Sequence, residues 1–278
     1  MKKPSVAFQG ELGAFSQIAV HQLLGDDVKL VPCPTFDDVF RRLSDKLVDT
    51  AVIPIENTLH GSIHENYDHL LEFGLEIVAE THVRIAHSLI APPGVAISKI
   101  RKVYSHPVAL NQCLKFFSDN PQFERITFYD TAGSVKMIME ERPEGGAAIA
   151  STSAAETYGG RILRRNIEDD PRNFTRFFQL RHPGKKRPRP EGKACKTSLV
   201  FATGNVPGAL FRSLSALSLR DINLLKIESR PLRGKPWEYL FYLDFDGSID
   251  EPRVEKALGH LSELADFIRV LGCYPKGT

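Results

Sequence analysis

The sequence predicts an α/β protein built in two parts. Residues 1 to about 182 alternate short apolar runs with segments of helical period, a pattern typical of α/β units with largely parallel strands. Beyond a basic, proline-rich stretch the order becomes strand, helix, two strands, helix and strand, which is the ferredoxin-like βαββαβ order. The composition, 42% apolar and 25% charged residues, is that of a globular protein.

The first half of the first part alternates strands and helices from its start. The apolar run SVAF precedes the loop GELG at Gly10–Gly13, and the helix AFSQIAVHQLL stops at Gly25. VKLVPC follows, and Thr35 opens the next helix with Asp38 three residues on as a capping pair. DTAVIPI then leads through ENTLHG into a helix that ends near Gly74. This alternation predicts one lobe over about residues 1–78, completed by a return of the chain near 170–182.

A second lobe is expected over residues 79–169. The long extended stretch LEIVAETHVRIAHSLIA comes first. KVYS then precedes a helix starting at Pro107, ITFYD precedes one starting near Thr131, and AAIAS precedes TSAAETYG. Two α/β lobes joined by extended strands predict a ligand cleft between the lobes, at the carboxyl ends of strands.

The C-terminal part is expected to be a separate domain over residues 197–278. Its strands are TSLVFATG, INLLKIESRP, WEYLFYLDFDG and DFIRVLGCYP. Its helices are PGALFRSLSALSLRD, with Pro207 in the first turn, and EPRVEKALGHLSELA.

The basic stretch, residues 183–196, is interpreted as a solvated linker. From Arg181 to Lys196 the chain has seven Lys or Arg and one Glu, but prolines and glycines stand among the cations and no aromatic residue does. A nucleic-acid binder would place its cations on a folded face with aromatic residues between them. No nucleic-acid partner is therefore expected.

Membrane insertion and a structural metal site are not expected either. No apolar run reaches the roughly 18 residues of a membrane span, and Gln9 and Glu11 interrupt the apolar start, so we expect a cytoplasmic protein. The cysteines show no CxxC pair and no histidine at ligand spacing, which predicts reduced, mostly buried thiols. They are Cys33, Cys113, Cys195 and Cys273.

Small polar groups follow several of the predicted strands. The loop GELG could hold an anion at the start of a helix or simply be a tight turn, but Leu12 excludes the dinucleotide fingerprint GxGxxG. Four further loops are Glu56-Asn57-Thr58, Ser105-His106-Pro107, Asp130-Thr131 and Ser151-Thr152-Ser153. Each could be an N-cap alone, although four at strand ends favour a ligand site.

The segment Asn173–Phe178 is predicted to be a strand. Alternation would place Thr175 and Phe177 on one face and Arg176 on the other.

Taken together, the motifs resemble one family. They are GxxGxFS at Gly10–Ser16, PIEN at Pro54–Asn57, SHP at Ser105–Pro107 followed by Gln112, NxTRF at Asn173–Phe177, GAL at Gly208–Leu210 and ESRP at Glu228–Pro231. In this order they resemble a stand-alone prephenate dehydratase with a C-terminal ACT regulatory domain. The family usually has Ser after PIEN, where this chain has Thr58.

The resemblance implies a two-lobed, periplasmic-binding-protein-like (type II) catalytic domain without cofactor or metal. The implied reaction converts prephenate to phenylpyruvate, CO2 and water in phenylalanine biosynthesis. It implies Thr175 as the residue most directly tied to catalysis. The residues that it implies for substrate contact are Asn57, Thr58, Ser105, His106, Gln112, Thr131, Asn173, Arg176 and Phe177.

The ACT domain implied by the resemblance would bind L-phenylalanine as an allosteric inhibitor in a homodimer or homotetramer. The expected effector-binding residues are Gly208, Ala209, Leu210, Asn223, Glu228, Ser229 and Arg230.

Three alternatives stay open at this point. Glu56 is a second candidate for the proton donor, because negative charge and desolvation in a cleft that binds a dianion favour the protonated carboxyl group. An arogenate dehydratase would differ in contacting an amino group in place of the keto group. A non-catalytic two-lobed sensor would share the cleft and the effector domain.

Overall fold

The computed structural model describes residues 3–184, 194–232 and 237–277, so residues 185–193 of the predicted linker lie outside the described residues. The strands are β1 Ser5–Gln9, β2 Lys29–Cys33, β3 Thr50–Asn57, β4 Gly61–Ser62, β5 Glu76–Arg84, β6 Ser88–Ala91, β7 Lys102–Ser105, β8 Glu124–Thr127, β9 Gly146–Ala150, β10 Arg161–Arg165, β11 Phe174–Arg181, β12 Cys195–Thr203, β13 Leu224–Pro231, β14 Tyr239–Asp246 and β15 Phe267–Pro275. The helices are α1 Phe15–Leu24, α2 Phe36–Ser44, α3 His64–Phe73, α4 Pro107–Asn111, α5 Leu114–Ser118, α6 Thr131–Glu141, α7 Thr152–Tyr158, α8 Ala209–Ser218 and α9 Pro252–Leu264.

The chain forms two compact units. The first consists of Met1–Ile63 and Thr81–Phe177, and the second of His64–Glu80 and Phe178–Thr278. Helix α3 and the first residues of β5 thus group with the C-terminal segment. The predicted domain boundaries 1–182, 183–196 and 197–278 differ from this division into compact units, and they stay a prediction.

In the first unit, β1, β2, β3 and the parts of β5 and β11 that belong to it, Thr81–Arg84 and Phe174–Phe177, lie in the sheet order β5-β11-β3-β1-β2. Strand β1 runs parallel to both β2 and β3, with Val6 paired with Leu30 of β2 and with Thr50 of β3. Val6 and Phe8 are fully buried in a core that also includes Val20 of α1. Apolar runs without alternation produce such strands, because both faces of a parallel sheet are covered.

A second sheet of the first unit has the order β10-β6-β9-β7-β8. β7 runs parallel to β8 and β9, whereas β6 is antiparallel to β9 and β10. The two sheets confirm the predicted two-lobed α/β fold. Strand β10 was not predicted, because its sequence RILRR offers only Ile162 and Leu163 as apolar residues.

Local chemistry fixes several helix starts as predicted. Thr35 accepts a hydrogen bond from the backbone N–H of Asp38 and caps α2. Asp130 caps α6 and Ser151 caps α7 in the same way. His106 caps α4 through Nδ1, which accepts from the N–H of Val108 at 3.2 Å.

The loop GELG is a tight turn packed against α7. Gly13 has a φ of +83°, and a Cβ there would lie 2.5 Å from the Cα of Ala154. The Ser151 hydroxyl donates to the carbonyl of Gly13 at 2.6 Å, and the N–H of Gly13 donates to Gln17 Oε1 at 2.7 Å. The close approach therefore requires glycine, and this geometry supports the tight-turn interpretation.

The C-terminal segment of the second unit has the sheet order β13-β14-β12-β15, with all neighbours antiparallel. This is the βαββαβ arrangement that the sequence predicts. Helix α8 starts at Ala209 with Gly208 as its N-cap, so Pro207 lies before the first turn rather than in it.

Helices α8 and α9 cover one face of this sheet, with Phe201 and Leu243 in the core beneath them. Strand alternation directs Tyr242 to the opposite face, where its hydroxyl donates to the carbonyl of Tyr67 in α3 at 3.0 Å. Helix α3 therefore packs on the face that α8 and α9 leave uncovered.

No helix in the described part of the chain is long and apolar enough to cross a membrane. Cys33, Cys113 and Cys273 are buried, and Cys195 is half-buried. Burial raises the pKa of the Cys33 and Cys113 thiols, which keeps both groups protonated at neutral pH.

Candidate active site

Asn57 and Thr175 lie side by side at the ends of neighbouring strands β3 and β11. The amide nitrogen of Asn57 is 3.0 Å from Thr175 Oγ1, 2.7 Å from Asn173 Oδ1 and 3.2 Å from the carbonyl oxygen of Phe174. An amide nitrogen only donates, so the Thr175 hydroxyl accepts in this pair. Its own hydrogen is left for a different acceptor.

The loop after Asn57 is held by backbone contacts. Asn57 Oδ1 accepts from the N–H groups of Leu59 and His60, each at 3.0 Å. The Thr58 hydroxyl donates to the carbonyl of Arg172 and accepts from the N–H of Phe174, both at 3.0 Å. Thr58 thus anchors the loop to the start of β11, and its hydroxyl hydrogen is already donated.

Glu56 and Arg176 pair on the other face of the same two strands. Arg176 Nη1 is 3.8 Å from Glu56 Oε2, and Arg176 is only 7% exposed. Because side chains alternate along a strand, this ion pair faces away from Thr175. The geometry therefore separates the second candidate acid and the expected substrate cation from the Thr175 hydroxyl.

The second lobe contributes Gln112, at the C-cap of α4. Its amide nitrogen is 3.2 Å from His60 Nδ1, and its Oε1 is 2.7 Å from His87 Nε2. Because the Gln112 amide nitrogen donates, His60 Nδ1 accepts in this pair and cannot also donate to Asn57 Oδ1, which lies 3.2 Å away. His60 is joined to Asn57 by its backbone N–H instead. The group Asn57, His60, Gln112, Asn173 and Thr175, here called the Asn57 cluster, is thereby connected by hydrogen bonds from both lobes.

Four of the expected substrate residues make other contacts. Ser105 is fully buried and donates to the carbonyl of Ile149 at 2.6 Å, and His106 caps α4. Thr131 is the first residue of α6, and Phe177 is 2% exposed in the core of the first lobe. Across residues 3–184, no hydrogen bond joins Ser105, His106 or Thr131 to the Asn57 cluster.

His60 and His87 were not among the site residues predicted from the sequence. The one available signal was a histidine inside the apolar run IAHSLIA, where a polar ring needs a partner. His60 lies on a loop and gives no such signal.

Burial also shifts the pKa values of His87 and Asp130 in the first unit. It lowers the pKa of the His87 imidazole, although the bond to Gln112 opposes the shift. Burial raises the pKa of the Asp130 carboxyl group, although the hydrogen bond from the N–H of Gly133 to the carboxylate opposes the shift. In the part of the chain that the structure describes, no group of three or more His, Cys, Asp or Glu side chains could hold a metal ion.

The expected effector residues lie on α8 and β13 of the second unit or, for Gly208 and Asn223, directly before them. Glu228 Oε1 is 3.1 Å from His64 Nε2, and Arg230 Nη2 is 2.8 Å from Asp68 Oδ2, so both side chains contact α3. Because side chains alternate along a strand, Ser229 lies on the opposite face of β13, the face that carries α8. Asn223 lines a cavity of about 480 Å³ with Leu214, Leu217, Ser218, Asp221, Ile222 and Leu224.

Comparison with known proteins identifies the family. The family model described as prephenate dehydratase matches residues 6–185. An arogenate dehydratase/prephenate dehydratase of Arabidopsis thaliana is 43% identical over 98% of this chain and 72% of its own length.

Two solved structures are similar over nearly the whole chain. Prephenate dehydratase from Arthrobacter aurescens, solved in complex with L-Phe, has a TM-score of 0.88 and 31% identity, over 98% of this chain and 89% of its own. A protein described as a novel type of quorum-quenching acylase has a TM-score of 0.90 and 33% identity, over 98% of both chains. By the family match and the 43% identity, the chain belongs to the prephenate dehydratase family, the hydro-lyases of phenylalanine biosynthesis.

Proposed function

We propose that the Asn57 cluster binds prephenate and that Thr175 donates a hydrogen bond to the oxygen of the hydroxyl group as its C–O bond breaks; this oxygen leaves with the bonding electrons and takes up a proton to become water. The supporting observation is the 3.0 Å contact in which Asn57 donates to Thr175 Oγ1. It fixes the oxygen of Thr175 and leaves the hydroxyl hydrogen for the substrate.

The reaction needs little covalent chemistry from the protein. Loss of CO2 and water makes the ring aromatic, and this supplies the driving force. A threonine hydroxyl is a weak acid, but an oriented donor stabilises a departing oxygen as negative charge develops on it. Loss of one such donor typically lowers kcat by about 10² to 10³.

Amide groups rather than Arg176 are proposed to hold the polar parts of the substrate. Asn173 Nδ2 is buried and has no hydrogen-bond partner among the described residues, while Asn173 Oδ1 accepts from Asn57. A buried donor without a partner is costly, so a substrate oxygen that accepts from it is stabilised there. Arg176 is instead paired with Glu56 on the opposite face.

Substrate preference is the finer part of the proposal. We favour prephenate, with arogenate as the second candidate because the Arabidopsis relative is named for both reactions. The test is kcat/KM of the full chain on each substrate, measured by release of phenylpyruvate or phenylalanine. A higher kcat/KM on arogenate would reverse the assignment, and no turnover of either would favour a sensor.

L-Phenylalanine is proposed to inhibit by binding in the cavity of about 480 Å³ at Asn223. Leu214 and Leu217 can surround the ring, and Asn223 and Asp221 offer polar groups to the amino acid. Helix α3 starts directly after the loop of the Asn57 cluster and contacts β13 through His64 and Asp68. It is therefore the proposed route of inhibition. Calorimetry of the full chain with L-phenylalanine tests binding, and absence of heat at saturating concentration would contradict it.

Assembly and location are also proposed from the sequence. β13 ends its sheet with Leu225 and Ile227 each 42% exposed, and an edge strand with apolar side chains can pair with a second copy. We propose a homodimer or homotetramer in the cytoplasm. Sedimentation equilibrium tests the assembly, and a monomer with and without L-phenylalanine would contradict it.

A further inference from the structure

His87 is a buried histidine that contacts one residue of the Asn57 cluster. It lies between β5 and β6, is 1% exposed, and its Nε2 is 2.7 Å from Gln112 Oε1. The other end of the Gln112 amide, Nε2, is 3.2 Å from His60 Nδ1. Gln112 is thus held at both ends, by the buried His87 on one side and by the loop residue His60 on the other.

The direction of the bond follows from the atoms. The amide oxygen of Gln112 only accepts, so His87 Nε2 carries the hydrogen. His87 Nδ1 is buried and has no partner in the described part of the chain. The ring is therefore the neutral Nε2–H tautomer, and burial, which lowers the pKa of His87, favours the same state.

Three other contacts fix the position of His87. Its backbone N–H donates to Glu168 Oε2 at 2.8 Å, and its carbonyl accepts from the N–H of Ile167 at 3.0 Å. The ring meets the ring of Phe15 edge to face, with centroids 5.7 Å apart. A donor held this firmly can select one orientation of a neighbouring amide, since the flipped amide would present its NH2 group to the Nε2–H.

We propose that His87 is a positioning residue, which fixes the Gln112 amide with its NH2 group directed toward His60 and the substrate. The proposal rests on the proposed function, in which Gln112 contacts the substrate. Without His87 the amide could turn, and its oxygen would then face His60 and the cleft.

Two substitutions of His87 separate the hydrogen bond from packing. His87→Phe keeps a ring against Phe15 and removes the donor, so we expect kcat/KM to fall about tenfold. His87→Gln places an amide nitrogen near the position of Nε2 and should restore kcat/KM to within about threefold of wild type. His69→Phe is the matched control, because His69 meets Phe73 edge to face at the same 5.7 Å and lies outside the Asn57 cluster. It should change kcat/KM less than about twofold.

A double-mutant cycle tests whether His87 acts through Gln112. In the Gln112→Met background no amide is left to orient, so His87→Phe should cost less than about twofold there. The loss of kcat/KM should be divided between kcat and KM in the same proportion in His87→Phe and in Gln112→Met. An equal loss from His87→Phe with and without Gln112 would overturn the proposal, because it would show a role in the fold alone.

The tautomer of His87 supplies a readout that does not depend on turnover. Nitrogen NMR of the ¹⁵N-histidine-labelled full chain should show His87 as the neutral Nε2–H form. An Nδ1–H or doubly protonated ring would overturn the proposal. A wild-type chain that turns over neither prephenate nor arogenate would overturn the proposed function, and the tautomer would still report the orientation of Gln112.

Discussion

Replacing Asn57 with aspartate changes one atom at the centre of the candidate site. The amide nitrogen donates two hydrogens to three acceptors, at 2.7 Å on Asn173, 3.2 Å on Phe174 and 3.0 Å on Thr175. A carboxylate oxygen in its place cannot donate. It repels the first two oxygens and accepts the hydrogen of the Thr175 hydroxyl.

The size of the effect follows from these contacts. Two lost hydrogen bonds at about 0.5–1.5 kcal/mol each lower the free energy of unfolding by about 1–3 kcal/mol. At roughly 2–4 °C per kcal/mol, Tm falls by about 2 to 12 °C. Because the Thr175 hydrogen then points to the new carboxylate and not to the substrate, kcat falls by at least about 10².

The assay is the initial rate of phenylpyruvate release, measured by ultraviolet absorbance at a temperature well below Tm. Asn120→Asp is the matched control, since the Asn120 amide donates to the carbonyl of Phe116 in α5, at 2.8 Å, away from the Asn57 cluster. It should leave kcat within about twofold of wild type. If Asn57→Asp keeps kcat within about tenfold of wild type, the Asn57 to Thr175 bond does not orient the catalytic donor.

Two further predictions concern a buried carboxyl group and the effector cavity. Burial raises the pKa of Asp130 above its ordinary 3.8, so the folded state binds that proton more tightly than the unfolded state. Stability from this group is therefore greatest at low pH and is lost as pH rises through the raised pKa. Asn caps a helix as well as Asp does, and it carries no charge. The Tm of Asp130→Asn minus the Tm of wild type should therefore be larger at pH 7 than at pH 4. An equal difference at the two pH values would contradict this. Leu214→Trp fills the cavity at Asn223 and should raise the L-phenylalanine concentration for half-inhibition by at least about tenfold, whereas unchanged inhibition would place the effector elsewhere.

Local rules predicted much of the fold. The capping pair of Thr35 and Asp38, the helix start at Pro107 and the βαββαβ order all depend on residues close in sequence, and the structure shows each of them. The alternation of side chains along β11 likewise predicted that Thr175 and Arg176 lie on opposite faces of the strand. The place of Pro207 in the first turn of α8 was wrong, because a shift of the helix start by so few residues leaves little signal in the sequence. Strand β10 was missed, because most of its residues are charged.

Long-range pairing explains what the sequence did not reveal. Glu56 and Arg176 meet across two strands that are far apart in the chain, and no local pattern indicates that they neutralise each other. His87 reaches Gln112 from another element, and α3 packs with β13 through Arg230 and Asp68. Such contacts depend on the tertiary fold, so motif and period alone cannot supply them.

The most direct test of the account compares kcat for Thr175→Val and Glu56→Gln under the same conditions. Thr175→Val keeps the shape of the side chain and removes the hydroxyl, whereas Glu56→Gln removes the second candidate acid at the ends of these strands. We expect Thr175→Val to lower kcat by about 10² or more, with Thr175→Ser close to wild type, and Glu56→Gln to lower kcat by less than about tenfold. A larger loss of kcat for Glu56→Gln than for Thr175→Val would contradict this and would identify Glu56, on the face of Arg176, as the proton donor.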